Sequence, residues 1–311
     1  MAALLTQAYM KLRPIPLPAP NTFAGQTAVV TGGTSGLGFA TAVHLLRLGA
    51  AEVIISARDA ARGRDAAAQI ASEAAAGGGA VPFGQVRAME LDMSRYSSVV
   101  AFAEQVKQVK RGNGGVDVVI LNAGMIGTVY EKGFEGWEQN LQTNTLSTAL
   151  LAALLLPYLK SERANRSAPA HLTLVGSMLH TSPDINRWPK WASQDGEGGG
   201  VLKHLNQPEN FVSADDRYAC TKLLLQYAFE ELAKLAREEG GDGPYRPQVI
   251  MNTVCPGIVR TGLARDYQAK GGLGMRLAVG AFQGLFGKSA ADGARSYLAA
   301  VTTKENQHYK Q

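Results

Sequence analysis

Short, continuously apolar runs alternate with segments of helical spacing along most of this 311-residue chain. Strands that are apolar throughout, rather than at every second residue, are typical of a parallel sheet covered by helices on both faces. We therefore predict a single α/β domain built on a doubly wound parallel sheet. The predicted strands are 27–33, 52–58, 86–94, 116–124, 171–177 and 248–257, and the predicted helices are 39–50, 64–79, 98–110, 137–160 and 218–239.

Three stretches depart from this alternation. Four prolines between Pro14 and Pro20 predict an extended N-terminal arm over residues 1–24, followed by one domain over 25–311. Residues 181–213 are polar and rich in glycine, whereas 263–287 are apolar and interrupted by glycines. Long irregular stretches in compact domains are usually functional loops or lids. We interpret 181–213 as an insertion and 263–287 as a lid over the substrate.

Composition excludes several classes of function. The net charge is +5, but Lys and Arg are scattered along the chain, so we expect no nucleic-acid partner. The longest apolar run, 149–156, is far shorter than a membrane span, and the N-terminus lacks a signal-peptide pattern, so we expect a cytoplasmic protein. The two cysteines, Cys220 and Cys255, form no CxxC motif, which favours buried thiols over a disulfide or a metal site.

A glycine-rich turn, TGGTSGLG at 31–38, joins the first strand to the first helix. Glycines let the backbone approach a pyrophosphate, and the helix N-terminus offers unpaired N–H groups and the positive end of its dipole. A tight turn without a ligand is the alternative interpretation. The cofactor contacts predicted here are Gly32, Thr34, Ser35, Gly36, Leu37 and Gly38.

Arg58 stands at the end of the second strand, twenty residues beyond Gly38. An arginine at this place accommodates the 2′-phosphate of NADP, whereas a carboxylate would bind the ribose hydroxyl of NAD. The sequence therefore predicts NADP(H), although the adjacent Asp59 leaves NAD open. An exposed arginine with no ligand is the remaining alternative.

Tyr218 and Lys222 are four residues apart at the start of a predicted helix, so they share one helix face. Ser177 ends the preceding predicted strand, on the edge where parallel sheets bind ligands. A tyrosine with an ordinary pKa near 10 needs a shift of about 3 units to exchange protons near neutral pH. Lys222 and an oxidised nicotinamide can supply that shift, Ser177 can donate to the substrate oxygen, and Asn144 can hold a relay water.

Seven motifs occur in a fixed order along the chain: TGGTSGLG, LDMS, LNAG, QTN, VGS, YACTK and PGIVRT. Over residues 25–302 the chain resembles short-chain dehydrogenases/reductases, which have a Rossmann-type fold. The resemblance implies the catalytic residues Asn144, Ser177, Tyr218 and Lys222. It also implies cofactor contacts at Asp92, Met93, Asn122, Ala123, Gly124, Tyr218, Lys222, Pro256, Gly257, Val259 and Thr261.

The stretch VIISARDAARG (53–63) resembles carbonyl-reductase-like and retinol-dehydrogenase-like members, which implies NADP(H). The proline-rich start resembles fungal members of secondary metabolism. The 41 positions from Ser177 to Tyr218 exceed the usual spacing, so substrates of smaller members are a poor guide. The chain ends about where the final strand of the family begins, so we expect that strand to be short or missing. A homo-oligomer is possible.

These observations predict hydride transfer between NADP(H) and an alcohol/ketone pair, as in a ketoreductase or alcohol dehydrogenase. The alternative is a family fold that binds the cofactor but serves as a non-redox catalyst or a binding or regulatory scaffold. The complete set of four catalytic residues favours the enzyme. Apolar side chains in the lid predict a bulky, apolar small-molecule substrate, unless they pack a helix pair onto the core. They are Leu263, Leu273, Met275, Leu277, Val279, Phe282, Leu285 and Phe286.

Overall fold

The computed structural model describes residues 11–76, 84–109, 115–188, 190, 200–236, 247–264 and 280–304. Six strands of this part of the chain form one parallel sheet in the order β3-β2-β1-β4-β5-β6. The predicted doubly wound sheet is confirmed, with strands shorter than expected. Their bounds are β1 Thr27–Val30, β2 Glu52–Ala57, β3 Gln85–Glu90, β4 Val118–Leu121, β5 Ala170–Val175 and β6 Val249–Val254. The final strand implied by the resemblance lies outside the described residues.

Helices cover both faces of the sheet, and an apolar core lies under each face. On one side Phe102, Leu155 and Phe229 belong to one core, and on the other Leu45, Ile70 and Tyr297 belong to the second. The described helices are α1 Gly36–Arg47, α2 Ala60–Ala76, α3 Tyr96–Lys107, α4 Thr148–Ser161, α5 Val201–Leu205, α6 Ala214–Leu235 and α7 Ala290–Ala300.

The strand order reverses beside β1, because β1 pairs with both β2 and β4. Val29 is in register with Ile54 on one side and with Val119 on the other. All residues of β1, β2 and β4 are buried, as the continuous apolar runs predict. In open α/β sheets the carboxyl ends of the strands at such a reversal form the crevice that binds ligands.

Helix α6, which carries Tyr218 and Lys222, starts earlier than the sequence predicted. It begins at Ala214, so Tyr218 lies in its second turn and does not open the helix. The hydroxyl of Ser213 accepts the backbone N–H of Asp216 at 3.1 Å, which caps the helix. Asp215 and Asp216 also place negative charge in the first turn, where the helix dipole favours it.

The long helix predicted over 137–160 is interrupted. A short α-helical turn, Gln139–Leu141, leads into a π-helical turn, Gln142–Ser147, and only then does α4 begin. π-Helical turns are rare and are found frequently at functional sites. Asn144 lies within this turn, so the sequence placed the residue on a helix but missed the local geometry that aims it.

The described part of the N-terminal arm lies against the C-terminal region. The Lys11 ammonium donates to the carbonyls of Gly284 and Leu285 at 2.5 and 3.0 Å. Arg295 on α7 donates to the carbonyl of Ile15 at 3.3 Å. Within the predicted arm, Phe23 is buried in the core, so packing starts before the predicted domain boundary at residue 25.

Helix α7 was not predicted from the periodicity. Its start carries a reciprocal cap, in which the Ser289 hydroxyl accepts from the backbone N–H of Asp292 and donates to its carboxylate. Of the predicted lid, only 263–264 and 280–287 are described, and Leu273, Met275, Leu277 and Val279 lie outside. In the described part of the chain no helix is long and apolar enough to cross a membrane, and no cluster of three metal-ligating side chains occurs.

Candidate active site

The loop between β1 and α1 has the geometry of a phosphate cradle. Gly32 and Gly36 have positive φ angles of 67° and 58°, which favour glycine. At Gly38 a Cβ atom would stand 2.4 Å from the carbonyl oxygen of Gly32, so no other residue fits there. Ser35 precedes α1 but makes no side-chain cap, and no acidic residue stands in the first turn of α1. The first N–H groups of the helix are therefore available to an anion.

Asn122, which follows β4, anchors this loop. Its amide nitrogen donates to the carbonyls of Thr31 and Gly32 at 2.8 and 3.3 Å. Its amide oxygen accepts the hydroxyl of Tyr297, a fully buried residue of α7, at 2.9 Å. The neighbouring Ala123 N–H donates to the Thr31 hydroxyl at 2.9 Å. The LNAG motif thus supports the glycine-rich loop through these hydrogen bonds.

The residues predicted to bind the adenosine half lie at the ends of β2 and β3. Arg58 follows β2 and is exposed. The Asp59 carboxylate accepts the backbone N–H of Arg62 at 2.8 Å, so it serves the start of α2. Asp92 accepts the N–H and the hydroxyl of Ser94, at 3.0 and 2.7 Å. The carbonyl of the buried Met93 accepts the Ser147 hydroxyl at 2.6 Å.

The side chains of Lys222 and Asn144 both lie next to Gly124. The Lys222 ammonium donates to the carbonyl of Val175, the last residue of β5, at 2.7 Å. A Cβ atom at Gly124 would lie 3.2 Å from Asn144 Oδ1 and 3.9 Å from Lys222 Nζ, so the glycine leaves the site open between them. Burial lowers the pKa of Lys222 to about 8.

The side chain of Asn144 is fully engaged with its surroundings. Its Oδ1 accepts the backbone N–H of Met125 at 2.9 Å, and its Nδ2 donates to the Met125 carbonyl and the Thr221 hydroxyl at 2.9 and 3.2 Å. Both amide hydrogens are therefore used. A relay water at this residue must donate to one of its oxygens.

Tyr218 and Ser177 complete the group at the carboxyl edge of the sheet. Burial raises the pKa of the Tyr218 hydroxyl to about 12, while hydrogen bonding with the Ser177 side chain acts in the opposite direction. Lys222 Nζ lies 5.6 Å from the centre of the Tyr218 ring. Burial thus opposes the shift toward neutral pH that proton exchange requires. The fold brings the four catalytic candidates together at this edge, and the raised pKa keeps the Tyr218 hydroxyl in its neutral form.

The PGIVRT segment after β6 closes the site beside the phosphate loop. Gly257 has a φ angle of 71°, which turns the chain away from the strand. A Cβ atom at Gly36 would touch the Thr261 side chain at 3.4 Å. At Gly293 on α7 an added Cβ would approach the side chains of both Leu37 and Val259 at 2.8 Å. Pro256, which precedes Gly257, is half-buried in the same turn.

Lys288 is a candidate that the sequence reasoning missed. It pairs with Val259 through a parallel β-bridge. Its backbone N–H donates to the Ile258 carbonyl and its carbonyl accepts the Arg260 N–H, both at 3.0 Å. Lys288 is largely buried. Burial lowers the pKa of its ammonium, while Cys255 and Asp292 nearby act in the opposite direction. A lysine ammonium beside the PGIVRT segment fits an anionic ligand such as a dinucleotide.

Cys255 also lies at this edge. Its sulfur accepts the backbone N–H of Met178 at 3.2 Å, one residue after Ser177. Cys220 is buried and Cys255 is half-buried, and both are free thiols, so the expectation of buried thiols holds fully only for Cys220. Nothing in the sequence around Cys255 predicted that its thiol would lie next to Ser177.

A separate cavity of about 990 Å³ opens at the opposite edge of the sheet, where β1, β4 and β5 begin. Thr27, Asp117 and His171 line it, together with parts of the chain around Thr22 and Arg166. None of the four catalytic candidates contributes to it. This cavity is therefore separate from the four catalytic candidates, which lie at the carboxyl edge of the sheet.

Comparison with known proteins supports the same interpretation. A family model for short chain dehydrogenases matches residues 26–178. The short-chain dehydrogenase/reductase phmF of Phaeosphaeria nodorum is 33% identical over 303 residues, covering 96% of this chain and 80% of the relative. The short chain dehydrogenase virL of Hypocrea virens is 36% identical over 301 residues, covering 95% and 78%.

Solved structures share the fold. The Pseudomonas aeruginosa RhlG/NADP active-site complex superposes with a TM-score of 0.62 at 22% identity, covering 94% of this chain and 95% of that one. A short-chain dehydrogenase from Sphingobium yanoikuyae in complex with NADPH gives a TM-score of 0.58 at 18% identity, covering 88% and 83%. The solved structures show the same fold. The sequence relatives, at 33% and 36% identity over nearly the whole chain, show that the chain belongs to the short-chain dehydrogenase/reductase family.

Proposed function

We propose that this protein is an NADP(H)-dependent oxidoreductase that interconverts an alcohol and a ketone on a bulky, mostly apolar small molecule. The observation that carries the proposal is the convergence of Ser177, Tyr218 and Lys222, with Asn144 behind them, beside a glycine-rich phosphate loop. A scaffold that only binds the cofactor has no need of a tyrosine and a lysine placed in this way.

The choice of NADP(H) rests on charge. Arg58 is exposed at the end of β2, and the neighbouring Asp59 carboxylate is occupied by the start of α2. Arginine suits a phosphate through paired charge-assisted hydrogen bonds. Lys288 offers a second, buried cation next to the PGIVRT segment. The RhlG and Sphingobium relatives of this fold are described with NADP and NADPH, respectively, which agrees with that choice.

A protonated Tyr218 can serve as the general acid when a carbonyl is reduced. A pKa of about 12 keeps the Tyr218 hydroxyl protonated, so it can give its proton to the oxygen of a reduced carbonyl. When NADP(H) is bound, its nicotinamide would supply or accept the hydride. Ser177 donates a hydrogen bond to the same oxygen, where negative charge develops. The Lys222 ammonium, held by the Val175 carbonyl, stabilises the tyrosinate that remains.

The substrate class follows from the side chains around the site. Met178 and Leu179 come directly after Ser177 and are 46% and 42% exposed. Leu263 comes two residues after Thr261 and is also exposed. Exposed apolar side chains grouped around a polar catalytic centre suit a ligand that is mostly apolar and carries few polar anchors.

The proposal is tested by following NADPH oxidation against a panel of multi-ring, long-chain and small charged carbonyl compounds. We expect Tyr218→Phe to abolish turnover and to leave NADPH binding nearly intact, because the phenol donates the proton while the phosphate loop holds the dinucleotide. Tyr227→Phe is the matched control, since Tyr227 is exposed on the same helix.

Retention of a tenth of the rate by Tyr218→Phe would show that the acid–base assignment is wrong. Binding of NADPH without reduction of any carbonyl compound would favour the scaffold. A preference for small charged substrates would contradict the apolar substrate class alone.

A further inference from the structure

A charged pair is completely buried where the insertion meets the catalytic helix. Arg217 and Glu138 are both 0% exposed, and Arg217 Nη1 lies 3.6 Å from Glu138 Oε2. Arg217 directly precedes Tyr218 on α6, and Glu138 directly precedes the turn that leads to Asn144. Removing one partner of such a pair leaves an uncompensated buried charge, so the two residues act as a unit.

The Arg217 guanidinium spans a turn of the insertion. Its Nη1 donates to the carbonyl of Leu205, and its Nη2 donates to the carbonyl of Asn210 at 3.0 Å. Its Cζ also lies 5.2 Å from the centre of the Phe211 ring. The rigid guanidinium fork fixes the spacing of these two carbonyls, whereas the three donors of a lysine ammonium rotate freely and would fix it less well. The residue next to Tyr218 therefore fixes both ends of the stretch 205–210.

Glu138 joins the same stretch to the helix of Asn144. Its carboxylate accepts the backbone N–H groups of Asn140 and Leu141, each at 3.0 Å, and so caps that turn. Its own backbone N–H donates to the side-chain oxygen of Asn206 at 2.7 Å. The amide nitrogen of Asn206 donates in turn to the Gly136 carbonyl at 3.0 Å.

An apolar cluster of its own supports this arrangement. Trp188 and Leu205, from the two described ends of the insertion, pack with Cys220 and Leu223 of α6 and with Leu141. Trp188 also meets the Tyr227 ring edge to face at 6.1 Å. Trp188 thus packs the insertion against α6.

We propose that the Glu138–Arg217 pair is the positioning element that holds residues 200–213, the C-terminal part of the insertion, as a rigid wall of the substrate site next to Tyr218. The pair touches neither the phosphate loop nor the adenosine end. It sets the shape of the substrate site and leaves cofactor binding independent of it. This inference rests on the proposed reduction of a ketone at Tyr218.

The test compares Arg217→Met, Arg217→Lys and Glu138→Gln with a matched control, Arg166→Met. Arg166 is also buried, with its Nε 3.7 Å from Asp117 Oδ1 and its Nη1 2.9 Å from the Leu159 carbonyl, but it lies at the opposite edge of the sheet. For each variant, kcat and KM are measured with the ketone that the wild type reduces best. NADPH affinity, thermal stability and amide hydrogen exchange of 201–210 are measured on the same samples.

For Arg217→Met we expect KM for the ketone to rise about tenfold and NADPH affinity to stay within about twofold of wild type, because tenfold corresponds to losing about 1.4 kcal/mol of substrate binding. Exchange of the 201–210 amides should become at least about tenfold faster, since local opening costs less once their anchor is gone. Arg217→Lys should fall between wild type and Arg217→Met. Arg166→Met should lower thermal stability and leave KM and this exchange unchanged.

Unchanged KM and exchange in Arg217→Met and Glu138→Gln would overturn the proposal, and so would an equal rise of KM in Arg166→Met. If Arg217→Met does not fold, Arg217→Lys and Glu138→Gln decide the question by the same measurements. If the wild type reduces no ketone, the proposed function fails, and the exchange of 201–210 still decides whether the pair anchors the insertion.

Discussion

The hydroxyl of Tyr297 controls the orientation of Asn122, and its removal should weaken both the fold and cofactor binding. In the structure this hydroxyl donates to Asn122 Oδ1 at 2.9 Å, which leaves Asn122 Nδ2 facing the carbonyls of Thr31 and Gly32. The side chain is also confined, because a Cβ atom at Gly38 would lie only 2.7 Å from Asn122 Nδ2. A flipped amide would oppose its oxygen to two carbonyl oxygens of the phosphate loop.

Tyr297→Phe removes the hydroxyl that donates to Asn122 Oδ1, so this part-buried amide oxygen loses a hydrogen bond. Leaving such an acceptor unsatisfied costs about 1–3 kcal/mol, and we expect about 1–2 kcal/mol because Asn122 is only half-buried. In a domain of this size each kcal/mol lowers Tm by about 2–4 °C, so a decrease of about 2–8 °C follows. If about 1 kcal/mol of the lost stability comes from disordering of the phosphate loop, NADPH affinity decreases about fivefold.

The assay combines thermal unfolding, with and without NADPH, and titration of NADPH fluorescence. Tyr227→Phe is the control, because Tyr227 is an exposed tyrosine of α6 whose ring contacts that of Trp188. A Tm within about 1 °C of wild type together with unchanged NADPH affinity would refute the reasoning. A lowered Tm with unchanged affinity would show that Tyr297 supports the fold and not the loop.

Three further predictions concern charge. Arg58→Ala should weaken NADPH by about 1–2 kcal/mol and leave NADH unchanged, and equal affinities of the wild type for both cofactors would contradict the role of Arg58. Lys288→Met should weaken NADPH and NADH to the same degree, because Lys288 lies beside PGIVRT and not at the adenosine end; unchanged affinities would show that it holds no part of the cofactor. Because burial lowers the pKa of Lys222 from 10.5 to about 8, the buried ammonium destabilises the wild type below pH 8, and this cost disappears as the pH rises toward 10.5. Chemical unfolding should therefore show wild type gaining stability relative to Lys222→Met between pH 8 and pH 10, and a constant difference would contradict it.

The sequence alone determined the parts of this protein that depend on local pattern. Continuous apolar runs predicted a parallel sheet because both of its faces are buried, and every residue of β1, β2 and β4 is indeed buried. The glycine spacing of 31–38 predicted the phosphate loop because the turn needs positive φ angles and close backbone approach, as at Gly32 and Gly38. The order of short motifs identified the catalytic candidates before any distance was known.

Tertiary structure decided what joins residues far apart in the chain. Asn122 meets Tyr297 across 175 positions, and no periodicity in either segment announces that contact. Nothing in the sequence around Arg217 predicts its burial, yet it is completely buried because the insertion folds over it and Glu138 pairs with it. The position of Lys288 was also decided by the tertiary structure, since its pairing with Val259 brings this largely buried lysine to the PGIVRT turn. Local propensity specifies helices and strands, whereas burial and the pairing of charges depend on which surfaces the completed fold brings together.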